Sequence, residues 1–314
     1  MRTRPMWRAM VIAALAAAAL GACGDDDDDE TSSATNTTAT TAAEEGENEL
    51  SVEMVDYGYK IEGTLKAGLT TITSTNAGKE WHMMGVGKLK AGATVEQLAT
   101  ALQNASPDSE ADPAAEFIEA EIGTPGHILQ PGATQSLTVD TLAPGNYAML
   151  CFLPTEGEGT PHFAKGMIGG FEVAAGESGA EAPTEDVALT LGDEAEPAGA
   201  PTELDSGEQT IKLTSSGSKG KDFIVGQLKE GKAFEDFDTY FESQFEKEGG
   251  PAKGAAANAP GKILGSTFEV GPGKTIWLTV DVPEGETYLV STTNSEGEDG
   301  DEETVDKFVK VTAT

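Results

Sequence analysis

Arginine is almost absent from this 314-residue sequence, and its only arginines, Arg2, Arg4 and Arg8, lie at the N-terminus. Lysine and arginine together number 20 against 54 aspartates and glutamates, which gives a formal net charge of −34. Binding to nucleic acid requires cationic side chains that neutralise phosphates. A chain this acidic is therefore a poor partner for nucleic acid, and anionic lipid headgroups would repel it.

Long hydrophobic runs are also lacking. The apolar stretch from Val11 to Leu20 is too short to span a bilayer but has the length of a signal-peptide core. It ends in L-G-A-C at Cys23, which resembles the lipobox of bacterial lipoproteins. The resemblance implies that residues 1–22 are removed and that Cys23 carries a lipid anchor, which would place the protein at the extracytoplasmic face of a bacterial cell membrane. An ordinary secretory signal ending near a cysteine is the alternative.

Cysteine is scarce, since only Cys23 and Cys151 occur. If Cys23 is lipidated, the chain cannot form an internal disulfide. A solitary thiol in an oxidising compartment is a liability unless it is buried or occupied. Residues 23–48, which are rich in Asp, Glu and Thr, have almost nothing to bury, so we predict a disordered tether between the anchor and the folded part.

From Leu50 onward the sequence consists of short β-type segments separated by Gly, Pro and Asn turns, a spacing typical of sandwiches and barrels. The segments also repeat. Residues 65–92 match residues 204–231 at an offset of 139, and P-G-H-I-L (125–129) matches P-G-K-I-L (260–264). The matches keep their order and fall on turn glycines and alternating apolar positions, which indicates two copies of one β domain.

We therefore predict a first domain over 49–175, a linker over 176–183 and a second domain over 184–314. Each copy is expected to contain one short helix. In the first copy a capping-box pattern at 94–97 marks the start of the helix, and in the second copy the helix is predicted within 233–247.

The two copies differ in metal-binding residue types. Residues 168–314 contain no cysteine, histidine or methionine. At matching offsets, His82 of the first copy becomes Lys221 and Cys151 becomes Ser291. The repeated fold therefore does not need these side chains, and a function is the better explanation for them. A thiolate, imidazoles and a thioether together form a donor set that suits copper.

Three motifs of the first copy resemble those of the cupredoxins, the type 1 blue copper family. They are N-A-G-K-E-W-H ending at His82, G-N-Y-A-M-L-C ending at Cys151, and H-F-A-K-G-M from His162 to Met167. The resemblance covers roughly 49–175 and implies an all-β chain of two tandem cupredoxin-like Greek-key sandwiches. It also implies one type 1 copper site, with His82 and His162 as equatorial ligands, Cys151 as the thiolate and Met167 as the axial ligand.

Two features depart from the family pattern. Ten residues separate Cys151 from His162, and Met83 stands where the family often has a side chain that bonds toward the sulfur. The alternative interpretation makes Cys151 a core thiol, His162 a turn residue and Met167 core filling. His127 is predicted to be a plain turn residue.

A lone type 1 site has no open position for a substrate, so the resemblance implies one-electron transfer and not catalysis. Three histidines in all are too few for a trinuclear copper centre. Copper binding and delivery at the cell surface, or a metal-free interaction module, are the alternatives. We expect a redox or copper-exchange protein partner with a basic surface, because an acidic surface steers cationic partners.

Overall fold

The fold is that of a computed structural model, which describes residues 48–105, 112–119, 126–193, 196–245, 250–296 and 302–314. The predicted signal peptide, Cys23 and nearly all of the predicted tether lie outside the described residues. Within the described part of the chain, no helix combines the length and apolar character needed to cross a membrane.

Strands dominate both repeats, and the prediction of an all-β chain with a short helix in each copy is confirmed. The elements of the first repeat are β1 (Glu49–Val55), β2 (Gly58–Gly63), β3 (Leu65–Asn76), β4 (His82–Lys88), α1 (Val95–Gln103), β5 (His127–Leu129), β6 (Thr134–Leu142), β7 (Gly145–Leu150) and β8 (Ile168–Glu177). Those of the second are β9 (Val187–Leu191), β10 (Glu203–Leu204), β11 (Gly207–Ser215), β12 (Lys221–Leu228), α2 (Phe234–Phe245), α3 (Ala255–Asn258), β13 (Gly261–Val270), β14 (Thr275–Val282), β15 (Gly285–Glu296) and β16 (Glu302–Ala313).

The strands of the first repeat form two layers around an apolar core. One layer contains β1, β2, β3 and β6, and the other has the order β5, β4, β7, β8. The first residues of β3, from Leu65 to Ala67, pair with β8 and so join the layers. Alternate residues of β1, such as Leu50, Val52 and Met54, are buried, as the two-residue period of a strand with one face on a core requires.

The second repeat is fused to the first through a continuous sheet, a junction that the sequence repeat does not predict. β6 pairs antiparallel with β14, from Val139 opposite Ile276 to Gln135 opposite Val280. One 11-stranded sheet therefore runs through both repeats, and a separate five-stranded sheet forms the other layer of the second repeat. Ser266 in β13 adds a second junction, because its backbone N–H donates to Gln135 Oε1 at 2.7 Å.

Local sequence patterns predicted the start of α1 correctly but not the position of His127. The Thr94 side chain accepts a hydrogen bond from the Gln97 N–H and the Gln97 side chain accepts one from the Thr94 N–H, so the predicted capping box is confirmed. His127 was predicted to lie in a turn, and this is wrong. It lies in β5 opposite Met84 and is fully buried. The turn signal comes from Gly126, which immediately precedes the strand.

Candidate metal centre

Three of the four predicted ligands converge inside the first repeat. His82 Nδ1 lies 3.2 Å from His162 Nδ1, and Cys151 Sγ lies 3.3 Å from the same His162 atom. The donor atoms of the three side chains all lie within 4.8 Å of one another, and all three side chains are fully buried. Residues 80 positions apart in sequence thus form one compact set of nitrogen and sulfur donors.

Neighbouring strands bring His82 and Cys151 together. His82 opens β4, and Cys151 directly follows β7, the strand paired with β4. The backbone N–H of Met83 donates to Cys151 Sγ at 3.2 Å. The Met83 side chain cannot provide the hydrogen bond toward sulfur that the family often has at this position, but its backbone does. A donor to sulfur is therefore present despite the departure in sequence.

Residues 151–167, here called the ligand loop, fold back so that both ends meet at the cluster. The Cys151 N–H donates to the Met167 carbonyl at 3.2 Å, and the Phe163 N–H donates to the Cys151 carbonyl at 2.9 Å. A 3-10 turn over His162–Lys165 ends at Gly166, whose φ of 111° is a left-handed conformation that favours glycine. Met167 is fully buried at the end of the loop, and its role as axial ligand stays a prediction.

The approach to His82 is shaped by the asparagine and glycine of the N-A-G-K-E-W-H motif. The buried Asn76 side chain donates to the carbonyls of Glu80 and Leu129 and accepts from the Gly78 N–H. A β-carbon at Gly78 would collide with His82 Nε2. The asparagine therefore holds the turn in shape, and the glycine leaves space for the imidazole.

Each imidazole has a carboxylate at its outer nitrogen. His82 Nε2 lies 3.3 Å from Asp56 Oδ1, and His162 Nε2 lies 3.1 Å from Glu80 Oε2. A carboxylate accepts hydrogen bonds, so a neutral imidazole in this position carries its proton on Nε2 and its lone pair on Nδ1. Both lone pairs then face the cluster. Carboxylates at the outer nitrogen commonly orient histidines that bind metals.

The turn between β1 and β2 supplies a second group at the site. Tyr57, which follows Asp56, packs edge-on against the His162 ring with centroids 5.1 Å apart. Its hydroxyl donates to Glu80 Oε1 at 2.9 Å. Tyr57 has a φ of 66°, a left-handed conformation that is strained for an aromatic residue. Backbone strain of this kind is tolerated where the surrounding contacts hold the residue in place.

The charges of the site favour a bound cation. Burial disfavours the thiolate, yet the charge and hydrogen bond of His162 lower the pKa of the Cys151 thiol. Burial also opposes protonation of His162, but Cys151 and Glu80 raise the pKa of its imidazole. Burial of Glu80 is outweighed by hydrogen bonds from His162, the Glu156 N–H and Tyr57, which lower its pKa to about 2. The Cys151 thiolate and the Glu80 carboxylate therefore place negative charge on both sides of the His162 imidazole.

The donor set fits a type 1 copper centre. A thiolate and two imidazoles, with a methionine at the end of the same loop, are the ligand types that copper uses in trigonal His2Cys sites. The predicted ligands His82, Cys151 and His162 would supply the plane. Within the described part of the chain, the group of possible metal ligands does not include His127.

Sequence reasoning missed the outer carboxylates. Glu80 lies inside the motif that ends at His82, but it contacts His162, which is 82 residues away. Asp56 lies 26 residues before His82 in a hairpin turn. In the second repeat, Asp193 makes an equivalent contact with Lys221, but this likeness becomes visible only in the structure.

Comparisons with known proteins find similarity to solved structures. No family model matches, and no curated protein matches. Among solved structures, it is similar to reduced auracyanin from Roseiflexus castenholzii at 24% identity, covering 41% of this chain and 98% of that one with a TM-score of 0.28. It is similar to auracyanin A, a "blue" copper protein from Chloroflexus aurantiacus, at 16% identity over the same shares with a TM-score of 0.25.

A third similarity extends over both repeats. The copper nitrite reductase of Nitrosomonas europaea is 13% identical, covering 85% of this chain and 93% of that one with a TM-score of 0.23. The similar structures thus include a blue copper protein that matches about one repeat and an enzyme that matches both. At these identities and TM-scores the similarities do not identify the site, so the case for copper rests on the side chains of the cluster.

Proposed function

We propose that the first repeat holds one copper ion in a type 1 site and that the protein transfers single electrons. The observation that carries this proposal is the buried convergence of His82, Cys151 and His162 within 4.8 Å. Bound copper would supply a one-electron couple between its cuprous and cupric states. The residues of the chain supply a fixed set of donors that suits both states.

The surroundings of the ligands favour electron transfer over catalysis. All three ligand side chains are buried, so a substrate has no direct access to the cluster. The outer hydrogen bonds to Asp56 and Glu80 restrict rotation of both imidazoles, which keeps the donors in one arrangement. Among the described residues, this is the single group of three or more histidine, cysteine or acidic side chains close enough to share a metal.

The test is copper titration of the purified protein, followed by visible absorption and paramagnetic resonance. We expect one equivalent of copper per chain and an intense sulfur-to-copper absorption band. Stopped-flow oxidation of the cuprous protein should then be faster than copper release. Copper that binds without this band, or that leaves the protein faster than it is oxidised, would favour copper delivery over electron transfer.

We further propose that Cys23 is lipidated and that the folded repeats lie outside the cytoplasmic membrane. The order of basic residues, apolar core and L-G-A-C supports this proposal. Replacing Cys23 with Ser should move the protein from the membrane fraction to the soluble fraction and abolish incorporation of labelled fatty acid. Unchanged labelling in the variant would contradict the proposal.

The partner we propose is a protein with a basic surface. The net charge of −34 supports it, because opposite charge accelerates diffusional encounter. The bimolecular rate constant for reduction by a cationic redox protein should fall as ionic strength rises. A rate constant that does not change with salt would argue against electrostatic recognition.

A further inference from the structure

The ligand loop is in direct contact with the second repeat. The Gly157 N–H donates to the Pro251 carbonyl. Gly250 is buried, and a β-carbon on it would collide with the backbone of Gly159. The segment just before α3 therefore packs against the middle of the loop that carries His162. This contact brings the repeat without metal ligands to the edge of the proposed copper site.

Glu156 anchors this contact with its side chain. One carboxylate oxygen accepts a hydrogen bond from the Gly254 N–H, and the other accepts one from the Ala256 N–H at 3.0 Å. The two residues lie 98 and 100 positions further along the chain. The α3 segment is itself held by α2, because the Tyr240 hydroxyl donates to the Ala255 carbonyl at 2.8 Å. Glu156 thus binds a supported segment of the second repeat.

The backbone of Glu156 continues the contact toward the ligand. Its N–H donates to Glu80 Oε2 at 2.8 Å, the same oxygen that lies 3.1 Å from His162 Nε2. Glu80 Oε1 accepts from Tyr57, so both oxygens of this carboxylate are occupied. An unbroken series of hydrogen bonds therefore leads from the amides of Gly254 and Ala256, through Glu156 and Glu80, to the outer nitrogen of His162.

We propose that the second repeat positions the ligand His162, acting through the carboxylate of Glu156 and then through Glu80. The inference rests on the proposed copper site, because the position of His162 matters for copper binding. It gives a role to the repeat that lacks the metal ligands. Ten residues separate Cys151 from His162, and a loop of this length needs outside contacts to keep one conformation. The second repeat supplies those contacts at Glu156 and Gly157.

The experiment compares Glu156→Ala with Glu158→Ala in the full chain. Glu158 lies in the same loop, is exposed and bonds Lys165 of that loop, so it controls for the loss of a loop carboxylate. Release of cupric ion to excess chelator should be about 3- to 5-fold faster in Glu156→Ala, less than the roughly 10-fold cost of losing a residue bonded directly to a ligand, because Glu156 acts through Glu80. The control should stay within about 2-fold of the wild type.

A conservative variant and a copper-free measurement complete the test. Glu156→Gln keeps one oxygen that can accept an amide hydrogen bond, so its release rate should lie between those of the wild type and Glu156→Ala. Nitrogen NMR of the copper-free protein reports the Nε2–H of His162 directly. Its signal should shift or exchange faster in Glu156→Ala and stay unchanged in Glu158→Ala.

The outcomes separate the two proposals. A wild type that binds no copper would overturn the copper site, while the NMR comparison would still decide whether the second repeat positions His162. Equal release rates and equal His162 signals in Glu156→Ala and Glu158→Ala would overturn the positioning role. If Glu156→Ala fails to fold, Glu156→Gln carries the same comparison.

Discussion

The two repeats place different hydrogen-bond donors at the same position of the fold. In the first, the imidazole of His82 lies against Asp56. In the second, Lys221 occupies the matching position, is fully buried, and places its Nζ 2.6 Å from Asp193 Oδ1. Gly217 leaves space for this pair as Gly78 does for the first. The carboxylate and the glycine are common to both repeats, whereas the residue between them differs.

The repeats differ more strongly around the sulfur. β7 ends at Leu150, so Cys151 begins a loop that returns with His162. β15 continues from Gly285 to Glu296, and Ser291 lies in the middle of that strand, paired with Lys307 in β16. The second repeat thus has a strand where the first has the start of its ligand loop. The donors of His82, Cys151 and His162 converge where the strand ends early.

This comparison separates what the fold needs from what the metal needs. The sandwich tolerates an ammonium or an imidazole beside the carboxylate, because either one places a hydrogen-bond donor against it. The second repeat has neither a thiolate nor a second imidazole and still folds as a sandwich. The fold therefore does not need these two groups.

Replacing Cys151 with Ser should abolish the sulfur-to-copper absorption band and weaken copper binding by more than about 100-fold, because a ligand contributes more than an outer-shell partner. The matched change in the second repeat, Ser291→Ala, should leave both unchanged. Absorption spectra and copper titrations of the two variants check this. A band that survives in Cys151→Ser would rule out a thiolate ligand.

The two partners of the ion pair in the second repeat, Asp193 and Lys221, should contribute unequally to stability. Asp193→Asn removes the carboxylate that lies 2.6 Å from the fully buried ammonium of Lys221 and should lower the free energy of unfolding by about 1 to 3 kcal/mol. Lys221→Met leaves a carboxylate that is 40% exposed to solvent and should cost less. Urea denaturation measures both values. Equal losses, or a larger loss in Lys221→Met, would contradict the assignment of the buried charge to Lys221.

Asp222 follows Lys221 as Met83 follows His82. Because Asp222 can ionise and Met83 cannot, the stability of the second repeat depends on pH at this position. Burial raises the pKa of Asp222 to about 6, although a hydrogen bond from the Glu269 N–H opposes the rise; the nearby charge of Asp306 adds to it. The folded protein keeps this proton between about pH 4 and 6, while the unfolded chain loses it. The stabilisation is therefore complete below about pH 4 and is lost as pH rises through about 6.

Asp222→Asn should remove this loss, because the amide stays neutral and still accepts from Glu269. The free energy of unfolding at pH 8 should rise by about 1 to 3 kcal/mol, with little change at pH 4. Denaturation curves at both pH values measure the difference. A variant that is destabilised at pH 8 would show that the ionised carboxylate is needed.

The outer carboxylates should tune the copper potential. Asp56→Asn and Glu80→Gln each remove a negative charge next to an imidazole, which disfavours the more positive cupric state. Each change should raise the reduction potential by tens of millivolts. Asp193→Asn in the second repeat should leave the potential unchanged. Redox titration of the three variants decides this, and a potential that falls would contradict an electrostatic role.

Much of the first repeat followed from local sequence patterns. The capping box at Thr94 and Gln97 spans four residues and could be predicted without tertiary contacts. The types and order of His82, Cys151 and His162 pointed to one site because they suit copper and lie in motifs that resemble those of a copper-protein family. The outer partners carry no such signal, since an aspartate in a hairpin turn and a glutamate in a loop are common surface residues.

The strand pattern, the repeat and the residues able to bind a soft metal could be read from the sequence alone, because these depend on residue type and short spacing. The pairing of β6 with β14 and the connection from the second repeat through Glu156 to His162 became evident in the folded chain. Hydrogen bonds between groups about a hundred residues apart leave no periodic trace in the chain. They depend on how the strands assemble.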